Sequence, residues 1–148
     1  MKTAFAAIAI SLSLSTIGAA EDAKSPLIGK WVMTTAFHKD EEVTKAPLIR
    51  FDLAFDGDKA TLTYDKSEQG GNEKTVTGKY TYDASKKPAR ILLKEFPSEI
   101  PTTVIVKIEG DELVICYDTK GGAVPSEFKT TKDDNREIVH FAKKKQQN

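Results

Sequence analysis

Apolar residues along most of this chain recur at every second position, which is the side-chain period of a half-buried β-strand. Between Ile49 and Phe55, large apolar side chains occupy the odd positions, and Arg, Asp and Ala stand between them. From Gly29 onward the sequence has no convincing 3.6-residue period of an amphipathic helix. The alternation predicts about eight strands, over residues 29–38, 49–55, 60–64, 75–82, 89–95, 103–108, 112–117 and 138–142.

The connections between these strands favour an antiparallel arrangement. Asp56-Gly57 and Gly110-Asp111 are typical of short hairpins, and most connections are too short for the crossover between parallel strands. We therefore predict an all-β, eight-stranded antiparallel up-and-down barrel, since closure leaves no free strand edge. Such a barrel is filled by side chains or holds one small ligand. The 148-residue sequence shows no repeat or linker, so we expect one domain at 25–144 and a polar tail at 145–148.

The first twenty residues have the pattern of a secretory signal peptide. Met1-Lys2 is a short positive start, residues 4–17 carry no charge, and Gly18-Ala19-Ala20 precedes the acidic Glu21. This uncharged run is shorter than the roughly 20 apolar residues of a membrane span. We expect residues 1–20 to be removed after Ala20 and the mature protein to be secreted or periplasmic.

Composition argues against several classes of function. The 22 basic and 22 acidic residues give a formal charge of zero, which provides no electrostatic attraction to nucleic acid or to an anionic membrane. The lone Cys116 excludes an intramolecular disulfide framework and a cysteine-cluster zinc site. No serine lies in a nucleophile-like turn. We therefore predict no catalytic residues, no metal, no cofactor, no nucleic acid partner and no membrane insertion, and we favour a monomer.

Two kinds of polar cluster leave alternatives open. His38 and His140 could approach each other where the first and last strands pair, but a metal site would need a third ligand from residues 40–42. Carboxylates cluster at residues 40–42, 56–58 and 133–134, a pattern that suits calcium binding or glycoside hydrolysis. Each carboxylate cluster lies at a predicted turn, where acidic residues are also expected for backbone reasons.

Five segments in order resemble a bacterial lipocalin-like domain family of unknown function, whose members tend to read G-x-W, F-x-G-D, G-x-Y-x-x-D-x-S-K-x-P, L-x-x-C and P-x-x-F. The matching segments here are Gly29–Trp31, Phe55–Asp58, Gly78–Pro88, Leu113–Cys116 and Pro125–Phe128. The resemblance spans residues 25–144 and implies an eight-stranded lipocalin-like barrel, but it implies no reaction. This chain has Val124 where the family often has an arginine before the proline, so a contact made by that arginine is not expected here.

The resemblance also implies a role for Trp31. In lipocalins the tryptophan of the Gly-x-Trp signature closes one end of the barrel, often beneath an arginine from near the last strand. Arg136 lies at the start of the last predicted strand, two residues before Ile138, and is the candidate for that cation–π partner, with Arg50 and Arg90 as alternatives.

The inward face of the predicted strands gives a candidate ligand-binding surface. Amphipathic aromatic side chains suit a pocket of mixed polarity, and the aromatic residues that could line such a cavity are Tyr64, Tyr80, Tyr82 and Tyr117, with Phe51, Phe55 and Phe96. The expected barrel lining consists of Trp31, Phe51, Leu53, Phe55, Leu62, Tyr64, Tyr80, Tyr82, Val104, Val106, Leu113, Ile115 and Tyr117. We expect an exported, non-catalytic protein that binds a small, mainly apolar molecule in the barrel. The alternative is a protein-interaction or inhibitor-like module with a filled barrel.

Cys116 is expected to point out of the barrel and still be shielded. It alternates with Leu113, Ile115 and Tyr117, which we assign to the inner face. The segment at residues 121–131 is too long for a hairpin and carries Val124, Pro125 and Phe128. We expect it to cover Cys116, whose thiol would then be unreactive with a raised pKa.

Overall fold

The alternation of apolar and polar residues produces a run of β-strands connected by turns and loops. The computed structural model describes residues 25–43, 50–65, 73–98 and 100–145, and within these ranges the chain forms no helix. The predicted signal peptide and Ile49 lie outside the described residues. The strands are β1 (Gly29–His38), β2 (Glu41–Glu42), β3 (Arg50–Asp56), β4 (Lys59–Asp65), β5 (Lys74–Asp83), β6 (Ala89–Lys94), β7 (Thr103–Glu109), β8 (Glu112–Asp118) and β9 (Arg136–Lys143). The described part of the chain therefore contains no helix long and apolar enough to cross a membrane.

The strands close into a barrel. From β3 to β9, each strand pairs antiparallel with the next one along the chain. β9 then pairs with β1, from Lys143 opposite Trp31 to Glu137 opposite His38. The start of β1 also pairs with β3, which completes the ring. The prediction of an all-β, eight-stranded antiparallel up-and-down barrel is confirmed, and its architecture is consistent with a lipocalin-like barrel.

A packed floor fills one end of the barrel. It lies near the start of β1 and the β3–β4, β5–β6 and β7–β8 turns. We define the floor by six residues that belong to the buried interior core: Leu27, Trp31, Tyr80, Val106, Leu113 and Phe141. The opposite end, the mouth, is where the β1–β2 turn and the β6–β7 and β8–β9 connections lie.

A β-bulge in β1 changes which side chains face the interior. Met33 pairs with Phe141 and Thr35 with His140, so Thr34 is the extra residue. Beyond the bulge Ala36 belongs to the interior core, whereas Phe37 packs on the outside. Trp31, Met33 and Phe37 all occupy odd positions of the predicted strand 29–38, so an unbroken alternation would place them on one face. This expectation is wrong beyond Met33, because one inserted residue exchanges the two faces.

The two-residue strand β2 is a feature that the sequence pattern does not predict. It forms a hairpin with the end of β1, where His38 pairs with Glu41. The intervening Lys39 and Asp40 have φ values of 53° and 63°, the left-handed conformation that a type I′ turn requires. A turn was expected near residues 40–42, but Asn and Gly are the usual residues of a type I′ turn, so Lys39-Asp40 gave no signal for a two-residue hairpin.

A second apolar cluster lies on the outer face of the barrel. We call it the outer cluster; it consists of Ile105, Val114, Cys116 and Ile138 with the partly buried Phe37, Val124 and Phe128. The cover segment, residues 121–131, provides Val124 and Phe128, and the Sγ atom of Cys116 donates a hydrogen bond of 3.8 Å to the carbonyl of Glu127. Burial raises the pKa of the thiol to about 11. The prediction of a shielded, outward-pointing Cys116 beneath this segment is confirmed.

Candidate ligand-binding cavity

A cavity of about 410 Å³ occupies the barrel between the floor and the mouth. Its volume falls in the range of about 300–1,000 Å³ that is usual for small-molecule sites. The residues that line it are Phe51, Leu53, Phe55, Ala60, Leu62, Tyr64, Lys74, Ile91, Leu93, Phe96, Ile100, Pro101, Val104, Ile115, Tyr117, Thr119 and Glu137.

The strand register explains why the wall is mainly apolar. On β3 and β4, Phe51 lies opposite Tyr64, Leu53 opposite Leu62 and Phe55 opposite Ala60. Members of such a pair project to the same side of the sheet, which here is the interior. Eight residues of the lining expected from the sequence surround the cavity: Phe51, Leu53, Phe55, Leu62, Tyr64, Val104, Ile115 and Tyr117.

The other five expected lining residues lie outside the cavity wall, in or against the packed interior core. Trp31, Val106 and Leu113 are fully or almost fully buried, and Tyr82 packs against the same core. Tyr80 is 7% exposed, and its ring meets that of Phe55 edge to face at 4.8 Å. The alternation assigned all five to the interior but could not show where along the barrel the packing ends.

Both the indole N–H group and the aromatic ring of Trp31 make contacts that hold it at the floor. Its Nε1 atom donates a hydrogen bond of 2.7 Å to the carbonyl of Leu27. The Nζ atom of Lys143 lies 5.2 Å from the ring centroid, which is within cation–π distance. Arg136, the partner expected from the resemblance, lies at the other end of β9 and forms an ion pair with Asp134. The expectation for Arg136 is therefore wrong, because Lys143 is the cation at the floor.

The β6–β7 connection provides Phe96, which was a candidate from the sequence, and two cavity residues that the sequence pattern did not identify, Ile100 and Pro101. Glu95 adopts a φ of 64°, and the chain then leads to Phe96, Ile100 and Pro101, which all line the cavity. Room for the Phe96 ring exists because residue 78 is glycine: a Cβ atom there would lie 2.5 Å from the ring and clash with the carbonyl of Lys94. The sequence signal that could have identified this loop is the pair of apolar residues Phe96 and Ile100, each of which is followed by a proline.

Ala60, Ile91, Leu93, Lys74, Thr119 and Glu137 are the remaining lining residues absent from the sequence-based set. Ile91 and Leu93 did appear in a predicted strand, so their alternation could have identified them. The polar members gave no such signal, because lining was inferred from apolar character.

Polar groups concentrate at the mouth end of the cavity. Tyr117 and Glu137 lie opposite each other on β8 and β9, and a side-chain hydrogen bond connects them. Burial raises the pKa of Glu137, although the Tyr117 hydroxyl and His38 oppose that shift. Burial also raises the pKa of Tyr117, with further contributions from Glu137. The pair therefore consists of a phenol that donates and a partly desolvated carboxylate that accepts.

The other polar residues singled out in the sequence have separate local partners. The Nδ1 atom of His38 lies 3.0 Å from the carbonyl oxygen of Arg136, whereas that of His140 lies 2.7 Å from the carboxylate of Glu112. Asp40 binds the hydroxyl of Thr130 through its backbone and its side chain. Among the residues that the structure describes, no group of three or more potential ligands could hold a metal ion.

Comparisons with protein-family models, with curated proteins and with solved structures gave no match for this chain. Its function must therefore be argued from the barrel and its cavity.

Proposed function

We propose that this protein is an exported, non-catalytic, lipocalin-like carrier that binds a small, mainly apolar molecule inside its barrel. The observation that carries the proposal is the cavity of about 410 Å³, lined mainly by aromatic and aliphatic side chains. A filled interior would have left no room for a ligand. A mainly apolar wall with a few polar groups at one end is typical of small-molecule sites.

The distribution of packing supports the same proposal. Trp31 and Phe141 are completely buried at the floor, so the barrel has a stable closed end without help from the cavity. Leu53, Leu62 and Leu93 line the hollow part and remain partly exposed. An apolar ligand would complete the burial of these side chains, and that burial would drive binding.

Export and the absence of catalysis are further parts of the proposal. The charge pattern of residues 1–20 supports export to a secreted or periplasmic location. The described cavity wall contains no serine, cysteine or histidine beside the titratable pair Tyr117 and Glu137. The nearby Thr119 hydroxyl donates a hydrogen bond of 2.9 Å to the carbonyl of Asn135, an arrangement that supports binding rather than a reaction.

Native mass spectrometry of the protein purified from the cells that produce it naturally tests the proposal. We expect a small molecule to accompany the wild-type protein and to be released on denaturation. Leu62→Trp places a large side chain in the cavity and should abolish this complex. Leu92→Trp is the matched control, because Leu92 is 36% exposed and outside the cavity wall, so this variant should retain the ligand.

The opposite outcome would favour an interaction module. A wild-type protein with no bound small molecule and no affinity for apolar fluorescent probes would contradict the carrier function. Equal retention of a ligand by both tryptophan variants would show that the molecule binds elsewhere.

A further inference from the structure

Glu137 is the one acidic residue in the described wall of the cavity. It lies on β9 next to the mouth, with Tyr117 opposite it on β8 and His38 opposite it on β1. Neither neighbour is a fixed cation. Glu137 takes part in none of the ion pairs found among the described residues.

An ionised carboxylate in this position needs more hydrogen-bond donors than the wall provides. Two carboxylate oxygens offer about four acceptor positions, and the Tyr117 hydroxyl uses one of them. Burying such a charge without a partner is costly. A cationic donor in the cavity would complete the hydrogen bonding of Glu137 and balance its charge.

The cationic residue of the wall lies on the far side of the barrel. In the closed strand order β1-β3-β4-β5-β6-β7-β8-β9, β5 and β9 are four strands apart in either direction. Lys74 on β5 is exposed at the rim, and its Nζ atom lies 5.7 Å from the ring centroid of Tyr64. The mouth therefore has a negative side at Glu137 and a positive side at Lys74.

Below Glu137 the cavity becomes apolar. The inward residues Phe51, Leu53 and Phe55 on β3 line it in succession from the mouth toward the floor. Phe51 and Phe55 are separated by about 13 Å along the strand, at a rise of about 3.3 Å per residue. A ligand that reaches the floor while touching Glu137 must be elongated, with one polar end.

We propose that the cavity binds an amphipathic primary amine, with the ammonium group donating to Glu137 and Tyr117 positioning that carboxylate, while the apolar tail extends toward Phe55. This inference rests on the proposed carrier function and specifies its class of ligand. A hydrogen bond between charged groups is stronger than one between neutral groups, so the head group determines the preference among ligands with the same tail.

The test uses decylamine, decanol and decanoate as probes, each titrated calorimetrically at neutral pH. For the wild-type protein we expect decylamine to bind at least about tenfold more tightly than decanol, the ratio that one charge-assisted hydrogen bond provides. Decanoate should bind most weakly because its charge repels Glu137.

Two variants with the same change of charge separate a local effect from a general one. Glu137→Gln should lower the preference for decylamine over decanol to about threefold or less and leave the affinity for decanol unchanged. Unchanged binding of decanol also shows that the variant is folded. Glu73→Gln removes an exposed carboxylate just before β5 and should retain the full preference.

Each contrary result has a distinct meaning. If decanol binds as tightly as decylamine, the amine inference is wrong and the carrier function stands. If decanoate binds most tightly and Lys74→Gln abolishes that preference, the cavity binds an anionic head group at Lys74 instead of an ammonium group at Glu137, and the inference is again wrong. If none of the three binds, the carrier function fails and the inference fails with it.

Discussion

Cys116 shows how a residue can point away from the barrel interior and still be completely buried. It lies on β8 with Val114, on the face opposite Leu113 and Ile115, and the cover segment packs over it. Desolvation disfavours the thiolate, so the pKa of the thiol rises to about 11. The free cysteine of a protein proposed to be exported is thereby protected from oxidation.

We predict that Cys116 reacts slowly with iodoacetamide at pH 8 while the protein is folded. The raised pKa alone lowers the thiolate fraction by roughly 100-fold, and steric shielding lowers the rate further. Labelling should become fast in denaturant, and non-reducing gels should show a monomer. Rapid labelling of the native protein or a covalent dimer would contradict this prediction.

Glu137 gives a second residue-scale prediction, about stability and pH. Its pKa is raised in the folded state because burial disfavours the charged form, so the folded protein retains this proton to a higher pH than the unfolded chain. The free energy of unfolding must then fall as pH rises from the ordinary carboxyl pKa through the raised value. Glu137→Gln removes this loss, so the variant should gain stability relative to the wild type as pH rises.

Urea titrations from pH 4 to pH 8 measure this difference. Glu127→Gln is the control, because Glu127 is exposed and its effect should stay within about 0.5 kcal/mol at every pH. A difference between Glu137→Gln and the wild type that does not change with pH would show that the carboxylate is not desolvated.

Trp31 stabilises the floor of the barrel. It is fully buried, donates a hydrogen bond to the carbonyl of Leu27 and lies next to the ammonium group of Lys143. We predict that Trp31→Ala costs about 3–5 kcal/mol in the free energy of unfolding, as is usual for a large buried aromatic side chain. Leu92→Ala, an apolar change at an exposed position, should cost less than about 0.5 kcal/mol. A cost below about 1 kcal/mol for Trp31→Ala in urea would mean that the floor does not depend on this residue.

At the scale of elements, strands were predictable and the departures from regular strands were not. The period of two identified the eight barrel strands because each has one face inward, as on β4, where Ala60, Leu62 and Tyr64 face the interior. The bulge near Thr34 adds one residue without changing local composition, so the outward position of Phe37 was missed. Phe96 was a candidate for the cavity wall, but the space that its ring occupies depends on the absence of a side chain at Gly78, a distant position in the sequence.

The same limits apply to the cavity. Alternation identifies the inward residues of every strand, but it does not say which end of the barrel is packed. That division depends on how large side chains such as Tyr80 and Phe55 meet across strands. Glu137 was missed because a charged residue facing inward contradicts the apolar pattern on which the lining was predicted.

The cover segment and the β1–β2 hairpin stabilise each other through Thr130. This hydroxyl is buried; it accepts a hydrogen bond from the Asp40 amide at 3.0 Å and donates one to the Asp40 carboxylate at 3.1 Å. The two bonds hold a turn in which Lys39 and Asp40 both have positive φ. The contact therefore fixes the end of the cover segment against the turn that follows β1.

We predict that Thr130→Val, which preserves side-chain volume, lowers the free energy of unfolding by about 0.5–1.5 kcal/mol, because the Asp40 amide and carboxylate both lose the partly buried hydrogen bonds that they form with the Thr130 hydroxyl. The same change should speed the labelling of Cys116, since the cover segment is attached less firmly. Thr81→Val, at an exposed position of β5, should change neither quantity appreciably. If Thr130→Val were as stable as Thr81→Val, the hydrogen bonds to Asp40 would not hold the cover segment in place.

At the scale of the whole molecule, stabilising contacts and the candidate site occupy different places. The floor closes one end of the barrel, the outer cluster packs on the outer face of β7, β8 and β9, and the cavity lies inside the barrel between the floor and the mouth. Because the floor packs at the opposite end and the outer cluster packs on the outside of the barrel, polar residues such as Glu137 and Thr119 can line the cavity at its mouth. In the proposed carrier, this separation allows the residues at the mouth to vary without loss of the floor.

The barrel begins close to where export processing is expected to end. Leu27 is completely buried, and the Ile28 amide donates a hydrogen bond of 3.0 Å to the Ser25 carbonyl, so the described part of the chain makes structural contacts from its first residue, Ser25. Cleavage after Ala20 leaves only residues 21–24 ahead of that point. We predict that the exported protein has an intact mass corresponding to Glu21–Asn148 and the same unfolding midpoint as a recombinant chain that starts at Glu21. Recovery of the exported protein with Met1–Ala20 still attached would contradict the signal peptide, and a start beyond Leu27 would remove a residue of the floor.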